Sequence, residues 1–220
     1  MEIKAWAVKT PKQDLREYRY KKDMGENDVL IQIKYCSLLK ADIFFMDNFW
    51  SDTKYPLVPG TEIFGVIVKK GKKVNNIKIG DYVGVGYQID ACLKCSSCKD
   101  VKEQFCKKQR VIAIHENGGL AKHIIVNSNF VYLIPSNIQK PEYVSLLGYG
   151  LTSYSAIKHA NLKKGMKIGV VGLGNLGHIA AQILVKKGFE VTAFTHSKDK
   201  VNQLRKLGIN HFVNPLNKIY

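Results

Sequence analysis

Residues 166–197, MKIGVVGLGNLGHIAAQILVKKGFEVTAFTHS, decide the fold of this chain. The apolar run at residues 168–171 predicts a buried parallel strand, which leads directly into a glycine-rich turn. Apolar residues then recur at helical spacing, namely Leu176, Ile179, Ala180, Ile183 and Leu184. Residues 191–194 predict a second strand. The order strand, glycine-rich turn, helix, strand is typical of a dinucleotide-binding unit.

The glycines of this turn have separate roles in such a unit. Gly172 permits the tight turn, Gly174 lets the backbone approach a pyrophosphate, and Gly177 lets the helix pack close to the strand. The N–H groups at the helix N-terminus then face the phosphates. The residues predicted to bind the cofactor here are Gly172, Leu173, Gly174, Asn175, Leu176 and Gly177. The alternative is a packing turn that holds no ligand.

The residues after the second strand indicate which dinucleotide binds. An NAD site has an acidic residue there, which holds the ribose 2′-hydroxyl. This chain instead has Thr195, His196 and Ser197, with Lys200 shortly beyond. Hydroxyls and a cation suit a 2′-phosphate, so we expect NADP(H) rather than NAD(H). The alternative for Lys200 is a solvated helix face, because the whole chain is rich in lysine.

Composition limits the remaining possibilities. The chain has 220 residues, of which 45% are hydrophobic, and this suffices for a globular core. No stretch is long and apolar enough for a membrane span, and no secretory signal opens the chain, so we expect a cytoplasmic protein. The formal charge of +16 can indicate nucleic-acid binding. The lysines are scattered, however, so we attribute the charge to compositional bias and do not expect a nucleic-acid partner.

The chain divides into two predicted domains. Residues 1–147 read as mainly β, and residues 148–220 alternate helices with strands. The strands predicted in the first domain are residues 3–8, 29–35, 63–68, 82–85, 120–126 and 131–134. In the second, a helix carrying Val201, Leu204 and Leu207 on one face precedes a third strand at residues 211–213. We therefore expect a β domain followed by a partial doubly wound parallel sheet, that is, an α/β domain.

Three strands are only half of a doubly wound sheet. We expect either that another chain completes the sheet or that the chain is a truncated product. An exposed sheet edge tends to find a partner, which would give a homodimer.

Four cysteines form the most specific motif in the chain. Cys92, Cys95, Cys98 and Cys106 have the pattern C-x2-C-x2-C-x7-C. In a cytosolic protein such a cluster indicates a metal rather than disulfides. Four thiolates close a tetrahedral site, so we predict structural zinc. A ferredoxin-type cluster is the rival, but it has a gap of three residues followed by proline.

These motifs, in this order, resemble the zinc-type medium-chain dehydrogenase/reductase family, especially its cinnamyl-alcohol-dehydrogenase branch. Further matching phrases are residues 34–37 with Asp42, 55–60, 80–86, Leu146-Leu147 and 169–178. The resemblance implies an N-terminal GroES-like domain at residues 1–147, with a structural zinc lobe at about residues 90–110. It also implies that residues 148–220 form a partial Rossmann NADP-binding domain.

The resemblance also implies roles for single residues. Lys40 stands where the family places a basic residue on the cofactor pyrophosphate, and Thr152 matches a threonine near the nicotinamide. Trp50 matches an aromatic residue of the substrate-pocket wall. The NADP-phosphate contacts of the branch match Thr195, His196, Ser197 and Lys200.

The family's catalytic zinc ligands are replaced in this chain. Leu39, Thr61 and Gly148 stand where the family has Cys, His and Cys, and Ala41 replaces the hydroxyl that relays the alcohol proton. Asp42 and Glu62 remain, and we interpret them as buried, hydrogen-bonded acids. The fifth cysteine, Cys36, is interpreted as a small buried thiol.

Loss of the zinc limits the chemistry, because zinc makes the alkoxide accessible near neutral pH. The first interpretation is therefore an NADP(H)-dependent reductase of an activated carbonyl, enal or iminium, with a small-molecule substrate and without catalytic zinc. No catalytic residue is assigned, and Tyr149 and Lys40 are candidate proton donors. The second is a catalytically inactive relative that binds zinc and nucleotide. A nucleic-acid module built on the zinc site is a distant third.

Overall fold

The computed structural model describes residues 1–214 and 218–219, and the side chains of these except residues 198–200 and 218–219. Two compact units form, Met1–Leu147 and Gly148–Tyr220. The strands are β1 (Glu2–Ala7), β2 (Arg16–Lys21), β3 (Asp28–Ser37), β4 (Glu62–Lys70), β5 (Tyr82–Val85), β6 (Gln88–Asp90), β7 (Arg110–Val111), β8 (His123–Asn127), β9 (Tyr132–Leu133), β10 (Lys167–Val171), β11 (Glu190–Phe194), β12 (His211–Asn214) and β13 (Lys218–Ile219). The α-helices are α1 (Lys40–Met46), α2 (Ser96–Lys99), α3 (Tyr149–His159), α4 (Asn175–Lys186) and α5 (Lys198–Arg205).

Short 3₁₀ helices complete the assignment, at Glu103–Phe105, Ser128–Phe130, Ser136–Ile138 and Pro141–Leu147. Within the described residues, each helix is too short or too polar to cross a bilayer.

The first unit is built on a five-stranded antiparallel sheet in the order β8-β3-β4-β5-β9. Two smaller antiparallel pairs, β1-β2 and β6-β7, accompany it. Strand β3, which lies between β8 and β4, is buried on both faces at its start. Val29 and Ile31 pack into the main core, while Leu30 packs with Ile3 and Ile125 in a second cluster. This explains why β3 begins with an uninterrupted apolar run, whereas β1 alternates buried and exposed residues.

All six strands predicted in the first unit are present, with shifted ends. The largest shift is at β8, which begins at His123 although the apolar pattern starts at residue 120. The preceding segment contacts the loop before β4 instead, because Gly118 and Leu120 donate backbone hydrogen bonds to the carbonyl groups of Val58 and Pro59. The sequence did not predict β2, β6, β7 or α1.

The second unit contains a parallel sheet of β10, β11 and β12, extended by the short antiparallel strand β13. The sequence predicted the three parallel strands but not β13, which covers part of the outer edge of β12. Within the described residues no strand pairs with β10 on the side away from β11. Val171 at the end of β10 is 83% exposed. The open edge of this sheet is therefore at β10.

Helix α4 packs through a face that the sequence pattern identified only in part, at Leu184. Ala181 and Leu184 are its buried residues, whereas Leu176 is 43% exposed. A Cβ at Gly177 would overlap the carbonyl oxygen of Gly172, so Gly177, Ala181 and Leu184 form the packing face at helical spacing. Leu176 belongs to the apolar repeat that predicted the helix but lies exposed, because the backbone contact of Gly177 sets the orientation of the helix.

Helix α5 also differs from expectation at its end. Val201 and Leu204 are buried, but the helix ends at Arg205, and Leu207 lies beyond it with 38% exposure. Gly208 has φ +86, the left-handed conformation typical of a residue that follows a helix.

We predict that Gly177→Ala lowers the stability of the second unit by about 1–3 kcal/mol, because the added methyl group has no room beside the Gly172 carbonyl. Thermal unfolding followed by circular dichroism measures the effect. Gly174→Ala is the matched control, since a Cβ there meets no atom within 4 Å. Equal melting temperatures for Gly177→Ala and the unaltered protein would contradict the close approach of α4 to the turn.

Candidate cofactor and metal sites

The four clustered cysteines converge in the first unit. One sulfur atom from each of Cys92, Cys95, Cys98 and Cys106 lies within 4.8 Å of the others. Cys95 is the N-cap residue of α2 and Cys98 lies within this one-turn helix, so the C-x2-C spacing brings both sulfurs to the same side, 3.5 Å apart. Cys106 follows the 3₁₀ helix Glu103–Phe105. The geometry fits the four-thiolate donor set that zinc takes in structural sites.

The lobe around these cysteines has almost no other core. Between residues 92 and 109, Cys98 and Cys106 are the two buried residues. Backbone N–H groups of Lys94 and Cys95 lower the pKa of Cys92 to about 6, whereas burial raises the pKa of Cys98 to about 12. Four neighbouring sulfurs cannot all ionise without a cation among them. The arrangement therefore suits a cation held among the four sulfur atoms.

The glycine-rich turn between β10 and α4 leaves space for a ligand. Gly172 has φ +79, which favours glycine, and Gly174 has open space where a Cβ would point. Leu173 is buried, and Asn175 begins α4 with an exposed side chain. The first N–H groups of an α-helix have no acceptor within the helix, so the start of α4 can bind an anion.

Leu176 takes part in this turn in a way that the sequence did not predict. Its backbone carbonyl accepts a hydrogen bond from Ser153 Oγ at 3.0 Å, and Ser153 is a buried residue of α3. The contact joins α3 to the start of α4. A serine at residue 153 gives no sequence signal of this contact, because the contact depends on how two helices pack.

The residues that follow β11 differ in their access to a ligand. Thr195 is 5% exposed, and its hydroxyl accepts a hydrogen bond from the N–H of Ser197 at 3.1 Å. Thr195 therefore stabilises the loop between β11 and α5. His196 is exposed, and Ser197 is the N-cap residue of α5 without a side-chain capping bond. The side chain of Lys200 lies outside the described residues, so its predicted contact with a 2′-phosphate stays a prediction.

Lys40 and Thr152, both predicted to contact the cofactor, lie in different units. Lys40 is the first residue of α1, and its Nζ lies 5.3 Å from the centre of the Phe44 ring. Thr152 lies exposed in α3. Trp50, predicted in the pocket wall, is 47% exposed and lies 5.4 Å from Phe44 and 5.9 Å from Phe49 between ring centres.

The carboxylate of Asp42 joins two loops of the first unit. It is fully buried and accepts hydrogen bonds from Leu39 N at 2.7 Å, Gly60 N at 2.8 Å and Thr61 Oγ1 at 3.3 Å. Burial raises the pKa of Asp42, and these hydrogen bonds oppose the rise. Asp42 therefore fastens the start of α1 to the loop before β4.

Glu62 is the second buried acid, and the serine opposite it was missed in the sequence. Ser37 Oγ donates a hydrogen bond to Glu62, and the two residues pair in the register of β3 and β4. The half-buried Cys36 lies beside them, where burial raises its pKa to about 12 and the charges of Asp42 and Glu62 add to the rise. A thiol with so high a pKa is unreactive. Asp42 and Glu62 are thus buried and hydrogen-bonded, as expected.

The residues at the family's catalytic zinc positions do not fit a metal in this chain. Leu39 has no donor atom, and the Thr61 hydroxyl is hydrogen-bonded to Asp42. Within the described residues, the four cysteines are the one group of three or more His, Cys, Asp or Glu side chains that converge as metal ligands. The chemistry of the site therefore has to be explained without a zinc ion at these positions.

Comparisons with known proteins agree with this architecture. The family model of the alcohol dehydrogenase GroES-like domain matches residues 25–136, and that of the NAD binding domain of 6-phosphogluconate dehydrogenase matches residues 167–218. Mannitol dehydrogenase of Petroselinum crispum is 38% identical over 86% of this chain and 59% of its own length. Cinnamyl alcohol dehydrogenase 2 of Rauvolfia serpentina is 35% identical over 94% of this chain and 61% of its own length.

A solved structure is similar over nearly the whole chain. The CAD of Helicobacter pylori complexed with NADP(H) has a TM-score of 0.89 and 33% identity, over 96% of this chain and 64% of that one. This chain therefore spans about three fifths of the length of such relatives. The predicted fold class, a GroES-like β domain followed by a partial Rossmann domain, is confirmed. The chain belongs to the alcohol dehydrogenase GroES-like family, in the cinnamyl-alcohol-dehydrogenase-like branch of the zinc-type medium-chain dehydrogenases/reductases.

Proposed function

We propose that this chain belongs to an NADP(H)-dependent oxidoreductase that reduces an activated carbonyl, enal or iminium without a catalytic zinc. The observation that carries the proposal is the hydrogen-bonded network of Asp42 with Leu39 and Thr61. It stands at the positions where the family holds its catalytic metal, and its donors and acceptors are already paired. The second unit keeps the glycine-rich turn that dinucleotide binding requires.

The direction of the reaction follows from the missing metal. An alcohol gives up hydride readily only after its hydroxyl proton has left, and zinc makes this accessible near neutral pH. A polarised acceptor needs only a hydride, which bound NADPH supplies, and a proton. Lys40 and Tyr149 stay the candidate proton donors. We therefore propose a reductase rather than an alcohol-oxidising enzyme.

NADP(H) is proposed over NAD(H) because Thr195, His196 and Ser197 directly follow β11, and the first acidic residue, Asp199, lies further on in α5. His196 is exposed there, and Ser197 begins α5. A 2′-phosphate placed at this point would meet a helix N-terminus, which favours negative charge. Gly172, Gly174 and Gly177 would hold the pyrophosphate, in the manner of other dinucleotide sites.

The four cysteines are proposed to bind one structural zinc. Because the lobe has little apolar core, the metal would supply most of its folding free energy. A zinc-thiolate site in place of disulfides also favours a cytoplasmic location. The two units correspond in this proposal to a zinc-bearing domain, residues 1–147, and an NADP-binding domain, residues 148–220.

A homodimer joined along the open edge of β10 is proposed as the assembly. The exposed Val171 and the unpaired backbone of β10 favour such pairing. The mass of the purified chain by light scattering tests it, and a monomer would refute it.

We predict one zinc per chain by metal analysis of the purified protein. Cys106→Ser should lose most of this zinc on dialysis against a chelator, because it removes one of four ligands. Cys36→Ala is the matched control and should keep the zinc, since Cys36 lies outside the cluster. Two zinc ions per chain would refute the absence of a catalytic zinc, and iron with sulfide would refute the zinc assignment.

We predict that Ser197→Asp weakens NADPH binding about tenfold or more and leaves NADH binding little changed. The new carboxylate would repel the 2′-phosphate, while both Asp and Asn are good N-cap residues and leave α5 stable. Ser197→Asn is therefore the matched control, with the same shape and no charge. Titration of tryptophan fluorescence with each cofactor measures the affinities. Equal affinity of the unaltered protein for NADPH and NADH would contradict the proposal.

We predict that the protein consumes NADPH with a panel of enals and that it does not reduce NADP⁺ with the corresponding alcohols. The absorbance of NADPH measures both directions. Alcohol oxidation that depends on added zinc would show that the positions of Leu39 and Thr61 have been misassigned. Binding of NADPH without any turnover would instead favour the catalytically inactive relative.

A further inference from the structure

The lobe of residues 92–109, which carries the clustered cysteines, is an insertion between β6 and β7. These two strands pair at its base, where Gln88 lies opposite Val111 and Asp90 lies opposite Arg110. The hydrogen bonds among the clustered sulfur atoms and their backbone donors lie within the lobe itself. The lobe can therefore change its conformation while the strands at its base stay paired.

Two of the four cysteines are placed for direct reaction with each other. Cys95 is the N-cap residue of α2 and Cys98 lies within that helix, and their sulfur atoms are 3.5 Å apart. The sulfur atoms of a disulfide are about 2 Å apart, so rotation of the two side chains brings them close to bonding distance. Because both residues belong to one helical turn, no second segment of the chain has to move.

The other two cysteines are placed less favourably for such a reaction. Cys106 is 2% exposed, and its sulfur accepts hydrogen bonds from Cys92 N at 3.5 Å and from Lys108 N at 3.4 Å. The backbone N–H groups of Lys94 and Cys95 donate to the sulfur of Cys92. Such hydrogen bonds stabilise a thiolate and make it a weaker nucleophile.

Lysines outnumber acids in the lobe. The acids between residues 92 and 109 are Asp100 and Glu103. The lysines are Lys94, Lys99, Lys102, Lys107 and Lys108. Positive charge nearby favours ionised sulfur, which is the form that binds a metal and also the form that reacts with an oxidant.

We propose that Cys95 and Cys98 are an oxidation site, at which hydrogen peroxide forms a disulfide and so releases the zinc of the lobe. The inference rests on the proposed zinc site, because it concerns the fate of two of its four ligands. Cys95 reacts first, since it is half-buried whereas Cys98 is 7% exposed.

The reaction takes place in two steps. The Cys95 thiolate attacks one oxygen of the peroxide, the O–O bond breaks, and the leaving hydroxide takes a proton to form water. The Cys98 thiolate then attacks the sulfenic acid formed on Cys95, the S–O bond breaks, and a second hydroxide leaves and is protonated to water. Two thiolates have lost two electrons in total, and the peroxide has gained them.

Formation of the disulfide removes two metal ligands at once. A disulfide sulfur carries no negative charge, so Cys92 and Cys106 alone stay available as thiolates. A structural zinc site has four ligands, and two of them do not hold the ion. Reduction of the disulfide restores all four ligands, so the release is reversible as long as no cysteine is oxidised beyond the disulfide.

The test measures zinc and disulfide in the same sample of unaltered, zinc-loaded protein. Hydrogen peroxide is added, and the colour of a metal-binding dye reports the zinc that is released. We expect one zinc released for each disulfide formed, and we expect a thiol reductant with added zinc to restore the bound metal.

Peptide mapping with trypsin identifies the cysteines that have reacted. Cleavage after Lys94, Lys99 and Lys107 places Cys92, the pair and Cys106 on three separate peptides. After alkylation of the remaining thiols, the peptide 95–99 should be unalkylated and lighter by two hydrogen atoms. The peptides of Cys92 and Cys106 should be alkylated.

Two histidine variants test the choice of the pair. Three cysteines with one histidine are an ordinary donor set for structural zinc, so each variant should keep its metal. Cys95→His should release zinc at least about tenfold more slowly than the unaltered protein, because Cys98 loses its neighbouring thiol. Cys92→His is the matched control and should release zinc as the unaltered protein does.

The outcomes separate this inference from the zinc site on which it rests. Protein without zinc before oxidation would refute the zinc site and the inference together. In zinc-loaded protein, a cross-link between the peptides of Cys92 and Cys106 in place of the 95–99 disulfide would overturn the inference alone. Metal that stays bound after this disulfide has formed, or equal protection by both variants, would also overturn it. The peptide map needs no variant, so it decides the question even if the histidine variants fail to fold.

Discussion

The buried carboxylate of Asp42 is the interaction on which the first unit's candidate site depends. Its acceptors hold Leu39, Gly60 and Thr61 together, so the start of α1 and the loop before β4 keep one relative position. Hydrogen bonds from two backbone amides and a hydroxyl each contribute about 1.5–3 kcal/mol when the acceptor is charged. Removal of the carboxylate would leave these donors buried and unpaired. In this chain the acid performs locally the cross-linking that a metal ion performs when it binds residues from two loops.

The second unit depends on a close backbone contact, which is possible only because Gly177 has no side chain. Gly177 brings α4 against the Gly172 carbonyl, and this approach turns Ala181 and Leu184 toward the sheet. The same approach directs the N-terminus of α4 at the space above Gly174. The packing of α4 and the proposed binding of phosphate thus depend on the same close backbone contact, and a substitution that disturbs the first is expected to disturb the second.

Much of this architecture could be predicted from the sequence, because apolar periodicity and turn residues are local signals. The strands β3, β4, β5, β10, β11 and β12 and the helix α4 follow such signals. Strand β2, REYRYK, has no buried residue, and α1 lacks a side-chain cap, so neither gives a clear pattern. The spacing of the four cysteines in the sequence also predicted that their side chains cluster. The pairing of Ser37 with Glu62, the burial of Thr195 and the contact of Ser153 depend on tertiary packing and have no local signal.

The nearly coreless lobe between residues 92 and 109 has a consequence for the behaviour of the protein in a cell. A segment that only the proposed zinc would hold can open while the sheet beside it stays folded. While free zinc stays well above its dissociation constant, each tenfold fall in its concentration removes about 1.4 kcal/mol from the stability of such a segment. Val101, 80% exposed on the lobe, then lies in chain that a protease can reach. The turnover of the protein would follow the supply of zinc, even if its chemistry never uses the metal.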